Sequence, residues 1–315
     1  MTVDVVTLGE TMALLAPPQV GLLRHARSLD LGVAGAESNV AVGVARLGGR
    51  SAWIGRVGDD EFGRLVRMTL AGEGVQTVAV VDARAPTGLM VKERRTAQTT
   101  RVQYYRTGSA GSRLCPDDVD EDLIRGAKVL HVTGITLALS PSARSAVHAA
   151  IAVARDAGVL VSFDVNHRTA LWSDAHASTE LRKIVTVADV VLATEDEARL
   201  VVDAPDAVGL AREIAGCGAA HVLIKQGADG AVAMVDGKLY TVPAVPVTAV
   251  DPVGAGDAFG AAYLTVLCHG GSVEERLQVA AAAGAFAVTV PGDWEGLPSV
   301  EDLDLLGGAA GSVIR

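Results

Sequence analysis

Cysteine, basic charge and long apolar runs are all in short supply. The three cysteines, Cys115, Cys217 and Cys268, lie far apart with no C-x-x-C spacing. Any disulfide scheme leaves one of them unpaired, which argues against a disulfide framework and fits a reducing compartment. Lysine and arginine number 27 against 37 aspartates and glutamates, a formal net charge of -10. A nucleic acid partner, whose phosphates demand a basic face, is thereby disfavoured, and any anionic ligand requires arginines concentrated at its site. No apolar run reaches the roughly 18 residues that a membrane span needs. The first ten residues, MTVDVVTLGE, carry acid where a signal peptide needs base. The expectation is a cytoplasmic chain with no membrane partner. A Walker loop, G-x-x-x-x-G-K-[ST], is also missing.

What is present is a 315-residue chain, half of it apolar, large enough for one big α/β domain with a small elaboration. The runs VDVVTLG, SAWIGRVG, KVLHVTG, GVLVSFD, ADVVLA and AHVLIKQG predict buried strands. Residues 39–48, 61–74 and 140–158 predict helices between them, the last capped by Ser140, with Pro141 in its first turn and an end at Gly158. This alternation predicts an α/β fold, a doubly wound, mostly parallel sheet with helices on both faces and ligands at the carboxyl ends of its strands. Residues 87–109 break the pattern as a strand, a polar turn and a second strand. With residues 11–32, whose APPQVG segment reads as a turn, they predict a small outlying sheet. No repeat or long linker divides the chain, so residues 1–315 are taken as one domain, with the elaboration at about 11–33 and 86–110.

The stretch DPVGAGDAFG, residues 251–260, carries the chemistry. Its glycines, Gly254, Gly256 and Gly260, are spaced G-x-G-x-x-x-G and sit late in the chain, which misfits a dinucleotide fingerprint. Small residues leave the N–H groups of Gly254, Ala255 and Gly256 free to converge on an anion at a helix N-terminus, which carries about half a positive charge. Asp257, in the first turn, can then take a proton from an attacking hydroxyl. A plainer role for Asp257 is to complement the helix dipole, worth about 0.3–1 kcal/mol. The stretch alone does not choose between them.

Together with AGAESNVAVGVARLGGRSAWIGRVG, residues 34–58, this stretch resembles the two signature regions of the ribokinase-like (PfkB) sugar kinases. The resemblance spans nearly the whole chain. It implies a β-lid over the sugar, formed by the hairpin sheet, with Gly35 and Asn39 at the sugar; a helix N-cap is the competing role for Asn39. Asparagine occurs only twice, at Asn39 and Asn166, both within motif stretches.

The finer resemblance, carried by QYYRTGSAGSRL, HVTGITLALS, DVNHRTALW and GDWEGLP, is to 2-keto-3-deoxygluconate kinases. It implies ATP-dependent phosphorylation of the terminal hydroxyl of a sugar acid, with a neutral sugar or a nucleoside as the alternative acceptor. Tyr104, Arg106, Ile135, Arg168 and Asp293 are then substrate residues. Tyr104 and Arg106 are two apart and share a strand face, with Tyr105 on the other, and an arginine fork suits a carboxylate. Packing across a dimer is the other use for Tyr104, and an ion pair the other use for Arg168. Met90 replaces a tyrosine common in that subfamily, which puts one sugar contact in doubt.

KQGADG resembles the family's nucleotide turn and assigns Lys225, Gly227 and Gly230, with Gly254 and Gly256, to ATP; a tight turn leading into the hairpin AVAMV and KLYTV is the competing account. The small residues of AAAAGAFAVTV suit an adenine or simply helix packing. In TEDE, Thr194 replaces the family's asparagine, while Glu197 is retained and implies a water-mediated contact to Mg2+. T-x-x-E is also a capping box. Pro252 stands where the broad family has threonine. The resemblance leaves a monovalent cation open. An exposed hairpin sheet suggests a homodimer or higher homo-oligomer through the lid.

Overall fold

The predicted apolar runs become the centre of a nine-stranded sheet in the computed structural model, which describes residues 2–96 and 99–307. The strands are β1 (Val5–Leu8), β2 (Met12–Ala16), β3 (Asp30–Ala34), β4 (Ser51–Gly58), β5 (Gln76–Asp82), β6 (Leu89–Arg94) and β7 (Thr100–Tyr105). They continue as β8 (Val129–Thr133), β9 (Leu160–Asp164), β10 (Val190–Thr194), β11 (His221–Lys225), β12 (Ala231–Val235) and β13 (Lys238–Val242). The large sheet runs β13-β12-β11-β10-β9-β8-β1-β4-β5. It is parallel from β11 to β5, and only the β12 and β13 pairings are antiparallel. This is the doubly wound, mostly parallel arrangement expected from the alternation.

Burial on both faces explains why those runs were legible. Along β10, Val191 and Ala193 join one apolar core while Val190 and Leu192 join the other, the period-2 alternation of a strand covered on both sides. The helix Pro141–Asp156 covers one face with Ala143, Ala146, Val147, Ala150, Ile151 and Ala154, a stripe at helical spacing. Ser140 caps it by accepting from the Ala143 N–H at 3.0 Å, and Gly158, with φ 70°, follows its end.

Two expectations need correction. β5 was not foreseen: QTVAVVD is a sheet-edge strand, only partly buried, so its hydrophobic signal is weak. The helix predicted from residue 39 starts three residues earlier, at Ala36, with Gly35 as N-cap. Asn39 therefore lies inside the helix rather than capping it.

The small sheet has the order β3-β2-β6-β7, with β2 parallel to β6 and the other pairs antiparallel. Its inner face carries a separate apolar cluster of Met12, Leu14, Ala34 and Met90. Among the described residues no helix is long and apolar enough to cross a membrane.

The helices Ala36–Arg46 and Ala255–Cys268 pack tightly on one side of the large sheet. A Cβ at Gly43 would fall 2.6 Å from the Ala261 Cβ, so glycine is what permits this approach. One helical turn earlier on each helix stand Asn39 and Asp257. Positions four apart share a helix face, so the packing that joins 43 to 261 also brings 39 to 257.

Candidate active site

Strand order reverses around β1, with β4 and β5 to one side and β8 to β11 to the other. Crevices form beyond the carboxyl ends of strands at such a switch point. Here it is a cavity of about 900 Å³, bounded by residues that follow β1, β8, β9, β10 and β11 and by the inner face of the small sheet.

Its floor is the start of the helix Ala255–Cys268. Gly254 is the N-cap with φ 80°, a left-handed conformation that favours glycine. A Cβ there would come 2.2 Å from the Asp293 carbonyl oxygen, so two independent constraints demand glycine. The first N–H groups of a helix have no intrahelical partner, and Gly254, Ala255 and Gly256 line the cavity. Lys225 brings its Nζ to 3.3 Å from the position a Gly256 Cβ would take and pairs with Asp164 at 2.6 Å. Burial works to discharge this ammonium, but the charges of Asp164 and Glu197 outweigh it and raise its pKa. A fixed cation beside free amides is a cradle for an anion such as a phosphate.

Asn39 Nδ2 donates to Asp257 Oδ2 at 2.8 Å and to Asp293 Oδ1 at 2.5 Å, so one amide holds two carboxyl groups. Loss of solvent at the bottom of the cavity, together with the charge of Asp293, pushes the Asp257 carboxyl up to about 8, against the Asn39 hydrogen bond. The Asp293 carboxyl is also raised, again by burial first. Like charges held close disfavour double ionisation. A carboxyl poised near neutral pH is suited to proton transfer.

At one end of the cavity the small sheet contributes Met90, Lys92, Val102 and Tyr104. Arg106 lies over the Tyr104 ring at 5.5 Å, but it is not a free fork. Its Nε and Nη2 lie 2.7 and 2.6 Å from Glu10 Oε2, and Ser109 donates to the other oxygen of Glu10 at 2.5 Å. Gly35 is needed because a Cβ would meet the Glu10 carbonyl at 2.6 Å. Glu37 is enclosed here and accepts from the hydroxyls of Thr133 and Thr136; its burial raises its pKa. Ile135 and Arg168 also line the cavity. Arg168 remains nearly half exposed, donates to the His167 carbonyl and stands 4.0 Å from Glu197.

At the other end lie Gly227, with φ 60°, and Gly230, with φ 94°, in the turn before the antiparallel β12–β13 pair. Gly284 and Ala285 line the cavity as well. Thr194 and Glu197 do form the capping box: Glu197 Oε2 accepts from the Thr194 N–H at 2.8 Å, and Thr194 Oγ1 from the Glu197 N–H at 3.3 Å. Glu197 Oε1 accepts from the His167 N–H at 3.0 Å. A carboxylate has roughly four lone-pair sites, so capacity for a water remains. Among the described residues no group of three or more His, Cys, Asp and Glu side chains is placed to hold a metal directly.

Every residue assigned from the sequence to catalysis, substrate, ATP or Mg2+ lines this one cavity. Sequence reasoning missed Glu10, Glu37, Lys92 and Asp164, which line it too. Glu10 and Asp164 stand at or just past the ends of β1 and β9, where the switch-point rule directs attention, and Lys92 shares strand parity with Met90.

A profile of the pfkB family carbohydrate kinases matches residues 3–300. The chain is 39% identical over 311 residues to the 2-dehydro-3-deoxygluconokinase of Thermoproteus tenax, covering 96% of this chain and 94% of that one. It is 37% identical to the 2-dehydro-3-deoxygalactonokinase of Haloferax volcanii, covering 99% of both. An Escherichia coli protein crystallised with ATP and Mg2+ superposes with a TM-score of 0.89 at 25% identity, covering 96% of this chain and 98% of that one.

Proposed function

Since the chain belongs to the pfkB family of carbohydrate kinases, we propose that it transfers the terminal phosphoryl group of ATP to the terminal hydroxyl of 2-keto-3-deoxygluconate or its galactose-derived epimer. The observation that carries this reading is the Asp257 carboxyl, poised near neutral pH beside the free amides of residues 254–256 and the Lys225 ammonium.

In this reading Asp257 accepts the proton of the attacking hydroxyl as its oxygen bonds to the γ-phosphorus and the bond to the β-phosphate oxygen breaks, releasing ADP. The amides of 254–256 and Lys225 offset the charge on the transferring oxygens. Asn39 keeps Asp257 aimed, and its bond to Asp293 holds that carboxyl toward the sugar. Gly227 and Gly230 give the nucleotide close passage along the backbone. The carboxylates of Glu197 and Asp164 beside the phosphate cradle suit a hydrated Mg2+, which Glu197 would hold through a water. When bound, the ion neutralises phosphate charge. The small sheet serves as the lid over the sugar. Its exposed Leu31 and Tyr105 offer a homodimer surface for a cytoplasmic enzyme.

The acid function of the substrate is assigned to Arg106 and Arg168. The deciding experiment is a coupled ATP-consumption assay over 2-keto-3-deoxygluconate, its galactose-derived epimer, fructose, ribose and adenosine. The expected result is a kcat/KM for at least one acid that exceeds every neutral acceptor by at least about tenfold. Fructose or adenosine as the best acceptor would reject the sugar-acid assignment, and no turnover with any acceptor would reject the kinase.

Arg106→Ala tests the carboxylate contact. Hydrogen bonds to charged groups are worth about 1.5–3 kcal/mol, so kcat/KM for the acid is expected to fall about 10- to 100-fold, with a much smaller loss for fructose. Removing the arginine also leaves Glu10 buried without its cation, so the variant should melt below the wild type. Equal losses for both acceptors would mean that Arg106 only supports Glu10.

A further inference from the structure

The Lys92 ammonium ends its side chain where three segments meet. It pairs with Asp251 at 2.6 Å, both side chains almost wholly buried, and donates to the Gly292 carbonyl. Asp251 in turn accepts from the N–H of Val253 at 3.2 Å and of Gly292 at 3.4 Å. The loop 251–253 leads directly into the anion cradle, and the loop 292–293 carries Asp293 and packs its carbonyl against Gly254. Lys92 itself belongs to β6 of the small sheet, two residues beyond Met90 and on the same strand face. One positive charge therefore joins the sheet over the sugar end to both loops of the phosphate end.

Hard cations take oxygen ligands, so a carboxylate and a backbone carbonyl converging on one point out of water form a nest for a small cation, and here the protein supplies that cation from its own chain. We propose that Lys92 is a positioning residue that acts as a built-in monovalent cation, holding the cradle loop against the 292–293 loop so that no added monovalent ion is needed. A charge removed from such a nest leaves Asp251 buried and unpaired, and the cradle amides then lose the aim on which their effect depends. The inference relies on the phosphoryl-transfer reading for its kinetic test alone.

The test uses the full chain and its Lys92→Ala and Lys92→Met variants in ammonium, potassium and tetramethylammonium chloride at equal ionic strength. The wild type is expected to turn over equally in all three salts. Lys92→Ala is expected to lose about 10²-fold in kcat in tetramethylammonium, with a far smaller change in the sugar KM, because misplacement acts on the reacting geometry. Ammonium or potassium, small enough to enter the vacated space, should restore much of that rate. Lys92→Met, whose stem still fills the space, should stay low in every salt. Wild-type activity that requires potassium, or a Lys92→Ala rate blind to the cation, overturns the proposal.

A second readout needs no turnover: the melting temperature of Lys92→Ala without substrates should rise in ammonium or potassium relative to tetramethylammonium, while that of the wild type should not. If the wild type phosphorylates nothing, the kinase reading fails and this melting comparison decides the role of Lys92 alone. If Lys92→Ala does not fold in tetramethylammonium, its refolding yield in the other salts is read instead, and a yield indifferent to the cation overturns the proposal equally.

Discussion

Asp257→Asn is expected to lower kcat by about 10²–10⁴-fold, the usual effect of losing a general base, while the sugar still binds. Asparagine keeps an acceptor for the Asn39 amide but cannot take a proton, so the variant separates chemistry from positioning. Asp257→Ala should remove measurable turnover as well. The pH dependence gives a second check. The Asp257 carboxyl lies at about 8 in the folded protein, so it is protonated and inactive as a base on the acid side. Wild-type kcat/KM should therefore rise with pH along a limb near that value, and Asp257→Asn should lack the limb.

Stability should move the other way. The folded-state value is raised above the ordinary carboxyl value of 3.8, so the folded protein binds the proton more tightly than the unfolded chain. The contribution is fully present below about 3.8 and is lost as pH rises through about 8. Asp257→Asn, which never ionises, should melt above the wild type at alkaline pH, with a gap that closes toward acid. Near-normal kcat in the variant, with the sugar saturating as usual, would remove Asp257 from the chemistry.

Gly254→Ala is the second large effect, expected to cost about 10²–10³ in kcat, the scale of losing an anion-hole donor. An added Cβ would sit 2.2 Å from the Asp293 carbonyl oxygen, so either the cradle or the 292–293 loop must move. Gly270 provides the control. It has nearly the same φ, 77° against 80°, but nothing lies within 4 Å of its would-be Cβ. Gly270→Ala should lose about 1–2 kcal/mol of stability from the left-handed backbone alone and keep its kcat. If both variants lose stability alike and both keep their rate, the contact with Asp293 has no bearing on catalysis.

Much of the fold was legible because β1, β4 and β8 to β11 are buried on both faces and so read as continuous apolar runs. The partly buried β5 carries a diluted signal, and helix 36–46 begins at a glycine that advertises no cap. In the site, Gly254 is held by local backbone geometry and could be proposed from its own stretch, whereas Gly227 and Gly230 came from the resemblance of their turn. The ion pairs could not. Arg106 meets Glu10 across 96 residues and Lys225 meets Asp164 across 61, and spacing along the chain carries no record of such meetings. Arg106 was therefore expected as an open fork, while two of its nitrogens are already engaged. The T-x-x-E of residues 194–197 supported capping and metal readings alike, because the capping geometry leaves the carboxylate some acceptor capacity unused.

The Gly43–Ala261 crossing has a consequence for how this enzyme can vary. The reach of Asn39 to its carboxylate depends on two small residues that meet no ligand, so a single methyl group added at 43 would wedge apart the scaffold beneath the reaction. Tolerance to change is thus low at a place that a survey of substrate contacts would pass over. Altering substrate preference from the small-sheet side leaves that hidden crossing untouched.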